Sequence, residues 1–128
     1  MKPMIGVALM AALALVLVAP AQIASAGDRD VIREGSCDGR SDWKLKISPE
    51  DGGLEIEFEV DQNVRGDRWR VKIRHDGDLV LNRVRTTRGP SGSFEVRIVE
   101  NDRPGSDVVR GRARNLSTGE VCTGRATF

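Results

Sequence analysis

The amino-acid sequence predicts an all-β protein, a single antiparallel β-sandwich of about seven strands behind a cleavable leader. Three observations carry this expectation. In almost every run after Ser41, apolar residues alternate with polar ones. Half-buried strands show that period because successive side chains point to opposite faces. Turn-forming residues separate the runs at short intervals. And no stretch beyond residue 26 sets apolar residues at the i, i+3, i+4, i+7 spacing of an amphipathic helix.

The leader comes first. Met1-Lys2-Pro3-Met4 is positively charged, Ile5 to Ala19 is uncharged and apolar, and Ala24-Ser25-Ala26 is the small-x-small pattern that signal peptidase reads. Residues 1–26 are expected to be a signal peptide cleaved after Ala26, which makes the protein secreted or extracellular. Retention as an anchor is the competing reading, but the apolar run falls short of the roughly 20 residues that span a bilayer. No membrane span is expected after cleavage. A lipoprotein is disfavoured, because the first cysteine is Cys37 and does not follow the cleavage site. Residues 27–40 read as an N-terminal extension carrying Cys37, and residues 41–128 as the sandwich domain.

Composition limits what such a domain does. The 128 residues leave room for one domain, and the 14 Gly and 5 Pro are too dispersed for disorder. The formal charge is +1, and cleavage removes Lys2 alone among the charged residues, so the mature chain is neutral. Neutrality excludes a bulk-basic nucleic-acid binder and an acidic solvating chain. A monomer with no specific nucleic-acid partner is expected. Export makes a disulfide the default state of the two cysteines. A Cys37–Cys122 bond would tie the ends of the domain together, worth on the order of 4 kcal/mol in the chain-entropy model. Free thiols or a zinc half-site are the rivals, but one His and no CxxC give zinc little to bind. No metal and no cofactor are expected.

The strands follow in order. In the first, Asp42–Ser48, Trp43, Leu45 and Ile47 alternate with Lys44 and Lys46. In the second, Leu54–Asp61, Leu54, Ile56, Phe58 and Val60 alternate with Glu55, Glu57 and Glu59. In the third, Arg68–His75, Trp69, Val71 and Ile73 alternate with Arg68, Arg70, Lys72 and Arg74. The fourth, Leu79–Arg85, is less regular. The fifth, Ser93–Val99, sets Phe94, Val96 and Ile98 against Glu95 and Arg97. In the sixth, Asp107–Asn115, Val109, Gly111 and Ala113 alternate with Arg110, Arg112 and Arg114. The seventh is Glu120–Phe128. Turn residues lie between them, with Asp76-Gly77 a two-residue hairpin signal of type I′. A small barrel is the structural alternative to the sandwich.

Trp69 falls on the inward face of the third run, and Ala113-Arg114-Asn115 precedes Thr118-Gly119-Glu120. This resembles immunoglobulin-like and fibronectin type III modules, which keep a core Trp on the third strand. The whole mature chain, from Cys37-Asp38-Gly39 through Ser91-Gly92-Ser93-Phe94-Glu95-Val96 to Cys122, looks like a family of small secreted actinobacterial proteins of no established activity. The 16 Arg against 4 Lys fit such a source. The chain departs from antibody domains in lacking both a cysteine pair between its second and sixth strands and any Tyr. The resemblance implies that the first, second and fifth runs share one sheet, and the third, sixth and seventh the other.

Chemistry-bearing residues are few. His75 is the only imidazole and lies beside Asp76 and Asp78, with no nucleophile elbow anywhere in the chain. It reads as an exposed strand-end residue, and the aspartates as turn formers. No catalytic residue is expected, and the protein is not expected to be an enzyme. Arg65-Gly66-Asp67 is an interaction-loop candidate, although so short a triplet equally makes an ordinary polar turn. Asn115-Leu116-Ser117 matches a glycosylation sequon, or else simply forms the turn before the last strand.

Charge distribution is more informative. If the third and sixth runs are neighbours, Arg68, Arg70, Lys72, Arg74, Arg110, Arg112 and Arg114 crowd one outer face. Like charges facing each other cost roughly 0.2–1 kcal/mol per cross-strand pair. The alternative is a solvated face whose arginines pair with loop acids such as Asp67, Asp78 and Asp107. The expected function is a secreted non-catalytic binding module that engages a polyanionic envelope polymer, or another anionic extracellular partner, through this face. The rival is a loop-mediated protein-interaction or enzyme-inhibitor domain.

Overall fold

The computed structural model describes residues 29–128, and the expected signal peptide lies outside them. Eight strands form two four-stranded antiparallel sheets: β1 (Val31–Ser36), β2 (Asp42–Glu50), β3 (Gly53–Asp61), β4 (Arg68–His75), β5 (Asp78–Thr86), β6 (Ser93–Asn101), β7 (Val108–Asn115) and β8 (Val121–Thr127). One sheet has the order β1-β2-β3-β6 and the other β5-β4-β7-β8. The sheets pack face to face over Leu45, Ile47, Ile56, Phe58, Trp69, Val71, Ile73, Val96 and Val109. Each of these comes from the inward half of an alternating strand. The sequence-expected sheet partners therefore stand together, β2, β3 and β6 in one sheet and β4, β7 and β8 in the other.

Two boundaries differ from expectation. The segment read as an extension before the domain contains β1, which pairs with β2 from Val31↔Ile47 to Ser36↔Asp42. Its sequence hides the pairing because its inward row carries Val31, Arg33 and Gly35, with one large apolar residue in three; a Cβ on Gly35 would lie 2.8 Å from the Trp43 ring. The β2–β3 hairpin also runs further than Ser48 and Leu54, closing at Glu50↔Gly53 around Asp51 and Gly52. Both turn residues have positive φ, 43° and 79°. That backbone twist matches the flanking strands, so the ladder continues to the tip. Asp76-Gly77 closes β4 to β5 in the same way, with φ of 48° and 87°.

A Cys37–Cys122 disulfide joins the chain just after β1 to β8, with the two Cα atoms 4.2 Å apart. It links the edge strands of opposite sheets. Polar contacts extend this seam. Asp38 N–H donates to the Val121 carbonyl at 3.0 Å, Val121 N–H to Asp38 Oδ1 at 2.7 Å, and Ser41 Oγ to Glu120 Oε1 at 2.7 Å. Among the described residues no buried side-chain nitrogen or oxygen lacks a partner. No helix among them is long and apolar enough to cross a membrane.

Candidate functional site: a basic sheet face

Strand β4 places Arg68, Arg70, Lys72 and Arg74 outward because Trp69, Val71 and Ile73 are drawn wholly into the core. Strand β7 does the same for Arg110, Arg112 and Arg114 around Val109 and Ala113. The two strands pair in a register that sets Arg70 opposite Arg114, Lys72 opposite Arg112, and Arg74 opposite Arg110. All seven sequence-identified cations thus share one outer face.

An eighth joins them. Arg125 on β8 lies opposite Arg110, so Arg74, Arg110 and Arg125 form a continuous cationic row across three strands. The alternation of Cys122, Gly124 and Ala126 marks Arg125 as outward, but such small inward residues give a weak periodic signal. The remaining outward positions of this sheet are neutral, among them Asn82, Val84, Thr86, Val121, Thr123 and Thr127. The face carries no carboxylate.

The loop acids that could have neutralised these arginines are engaged elsewhere. Asp67 Oδ2 accepts hydrogen bonds from Gln62 Nε2 at 2.6 Å and Asn115 Nδ2 at 2.9 Å. Asp78 pairs with Arg103 at 2.9 Å, and Asp107 with His75 at 2.6 Å. Among the described residues, no carboxylate lies within 4.0 Å of any of the eight cations, whose side chains bond only neutral groups: Arg70 donates to Asn82 Oδ1 at 2.9 Å, and Arg74 to the Gly77 carbonyl at 3.2 Å. A shallow hollow of about 170 Å³ lies among Arg70, Lys72, Arg112, Arg114 and Leu116. With its neighbour beside Lys72, Arg74, Arg110 and Arg112, it makes an open cationic track. Same-face residues repeat about every 6.6 Å along a strand, and strands are about 4.8 Å apart. That is a grid of positive charge suited to a repeating anion.

The opposite outer face has the reverse character. Glu34, Asp42, Glu50, Glu55, Glu57, Glu59, Asp61 and Glu95 stand there against Lys44, Lys46 and Arg97. Lys44 and Lys46 stand opposite β3 in the registers Lys44↔Glu59 and Lys46↔Glu57. Arg97 holds Glu57 at 2.7 Å and Glu55 at 3.2 Å. The carboxylates still crowd. A shared bond with Glu50, burial, and Glu57 push Glu55 up to about 7, Arg97 opposing.

His75 corrects the sequence reading. It is fully buried, not exposed, at the end of the sandwich where β4 meets the strand end carrying Glu100. Its Nε2 lies 2.6 Å from Asp107 Oδ1, and its Nδ1 lies 3.1 Å from Glu100 Oε1. A neutral imidazole has one N–H to donate, so the doubly protonated ring is the form that satisfies both carboxylates. Burial opposes that charge, but Asp107 and Glu100 outweigh it and hold His75 above its ordinary value of 6.5. No hydroxyl or thiol nucleophile bonds to the ring. His75, Asp107 and Glu100 thus form one ion cluster.

The Arg65-Gly66-Asp67 triplet does not present its two charges together. Arg65 is exposed, whereas Asp67 is half-buried, and Asn115 and Gln62 hold its carboxyl below the usual range. Asn115 itself is buried. Its Oδ1 accepts from Ser117 and Thr118 N–H groups at 2.8 and 3.0 Å, so the sequon asparagine organises the β7–β8 turn. Comparisons with protein-family models, curated proteins and solved structures return no match.

Proposed function

We propose that this protein is a secreted, non-catalytic binding module of the immunoglobulin-like, fibronectin type III-like kind. Its outer β5-β4-β7-β8 face engages an anionic polymer of the cell envelope or extracellular space. The single observation behind this reading is the set of eight cations held in cross-strand register with no carboxylate among them. Such a face costs folding stability through repulsion. Its fields add, because neighbouring cations lie within a Debye length of about 8 Å at physiological salt. The open, gridded shape favours a linear polyanion over a small enclosed ligand. Docking through the 61–67 loop has less support, since Asp67 already serves internal partners.

The test is retention on immobilised heparin at low ionic strength, with release as salt rises. Arg70→Glu combined with Arg112→Glu should abolish retention, while Lys44→Glu with Lys46→Glu on the other face should leave it intact. No retention of the wild-type protein at low salt would end the proposal. So would retention equally lost in both double variants.

A further inference from the structure

The two outer faces are opposite in charge, and each sets like charges against one another. On the basic side Arg74, Arg110 and Arg125 are directly opposed across three strands. On the acidic side Asp42 faces Asp61, and Glu59 faces Glu95. Burial, Glu57 and Glu59 raise the Glu95 carboxyl further. The faces cannot relieve each other within one molecule. Packed sheets stand about 10 Å apart, and outward side chains on both sides carry the charges still farther, well beyond a Debye length at physiological salt. A chain whose formal net charge is only +1 is therefore a strong dipole across its thin dimension.

We infer that a second copy of this chain is a partner for the basic face, the acidic β1-β2-β3-β6 face of one molecule seating on the β5-β4-β7-β8 face of the next. Both interacting surfaces are four-stranded sheet faces, and both gain by exchanging like-charge neighbours for opposite ones. Because the two faces point away from each other on one molecule, the contact is heterologous and does not close. It generates an open stack. The area is modest: four strands at about 4.8 Å by roughly eight residues at about 3.3 Å gives about 500 Å² per partner. That is the low end for specific interfaces, so stacking is weak, concentration-dependent and dominated by charge. At high salt the chain is a monomer. A polyanion bound to the basic face competes with the neighbouring copy and disassembles the stack.

This inference uses the same basic face as the proposed function, and the experiment separates the two. The purified, oxidised protein is examined by sedimentation velocity at about 10 mM salt, where the Debye length is about 30 Å, and at about 1 M, where it is about 3 Å. The expected result is a sedimentation coefficient that rises with protein concentration, without a plateau at dimer, at low salt only, and falls back on addition of heparin. Glu59→Lys with Glu95→Lys should weaken self-association roughly tenfold or more and leave heparin retention unchanged. Arg70→Glu with Arg112→Glu should remove both. Mixing the two double variants should restore salt-sensitive association that continues beyond a dimer, because each supplies one unaltered face and their altered faces are again complementary. A wild-type protein that stays monomeric at high concentration and low salt overturns the inference while leaving polyanion binding standing. Association that stops at a dimer, or that survives both charge reversals, overturns it as well. If a double variant fails to fold, the salt and heparin responses of the wild type still decide the question.

Discussion

Oδ1 of Asp107 lies 2.6 Å from Nε2 of His75, and neither side chain retains meaningful contact with solvent. The pair clamps the end of β4 to the loop that enters β7. Glu100 completes the clamp from the end of strand β6, and Arg103 pairs with Glu100 at 3.8 Å and with Asp78 at 2.9 Å. The end of β6, from one sheet, and the loop before β7 thus meet β4 of the other sheet at one imidazole.

The first prediction is a pH profile. A His pKa raised by folding gives stability that is fully present below the unfolded value of about 6.5 and is lost as pH rises through the folded value. Glu55 acts in the same direction: its folded value of about 7 lies above the ordinary 4.5, so its contribution is lost between those two values. Asp107 is held low despite burial, chiefly by His75, and its contribution disappears as pH falls below the ordinary carboxylate range. Stability should therefore peak on the acid side of neutrality and decline towards pH 8. Urea midpoints across that range check this. His75→Gln should lower the peak and flatten the decline above pH 6.5, and Glu55→Gln should flatten it between 4.5 and 7.

The second concerns the core. Trp69 is fully buried, lies 5.9 Å from the Phe94 ring, and donates its Nε1–H to Gln62 Oε1 at 3.0 Å. Trp69→Ala should cost roughly 3–5 kcal/mol, measured by chemical denaturation. Arg70→Ala, one residue away on the outer face, should change stability by less than about 1 kcal/mol.

A third tests how Trp43 is seated. A Cβ on Gly124 would come within 2.6 Å of the Trp43 ring, so Gly124→Ala should cost roughly 1–3 kcal/mol by overpacking. Combined with Trp43→Phe, the loss should be smaller than the sum of the two singles. A double-mutant cycle measures that coupling.

The fourth is redox. Cys37→Ser with Cys122→Ser removes a closure spanning 85 residues, worth about 4–5 kcal/mol in the chain-entropy model. The unfolding free energies of the double variant and of the reduced wild type, from chemical denaturation, should fall together by that amount.

What was legible in the sequence follows from side-chain size. Where large apolar residues alternate with charges, as at Trp69, Val71 and Ile73, strand, face and register could all be read. Pairing of β4 with β7, and hence the shared basic face, followed from that register together with a resemblance in strand order. Where the inward residues are small the signal fades. Gly35 conceals β1, and Gly124 with Ala126 conceals the outward direction of Arg125. His75 was misplaced for a different reason. The period of Trp69, Val71 and Ile73 puts it on the inward row, whereas a strand end beside Asp-Gly is ordinary for an exposed residue; its partners Glu100 and Asp107 approach from β6 and from the loop before β7. Local pattern holds no trace of such a partner.

The disulfide has a mechanical consequence. Cys37 and Cys122 enclose nearly all of both sheets, so tension applied between the two ends of the domain passes through one covalent bond and leaves the enclosed strands unloaded. All of β1 and the part of β8 beyond Cys122 lie outside that bond, and they could peel without the enclosed strands β2 to β7 extending. Under an extending force between its ends, the oxidised domain should lengthen little, and reduction should convert it into an extensible one.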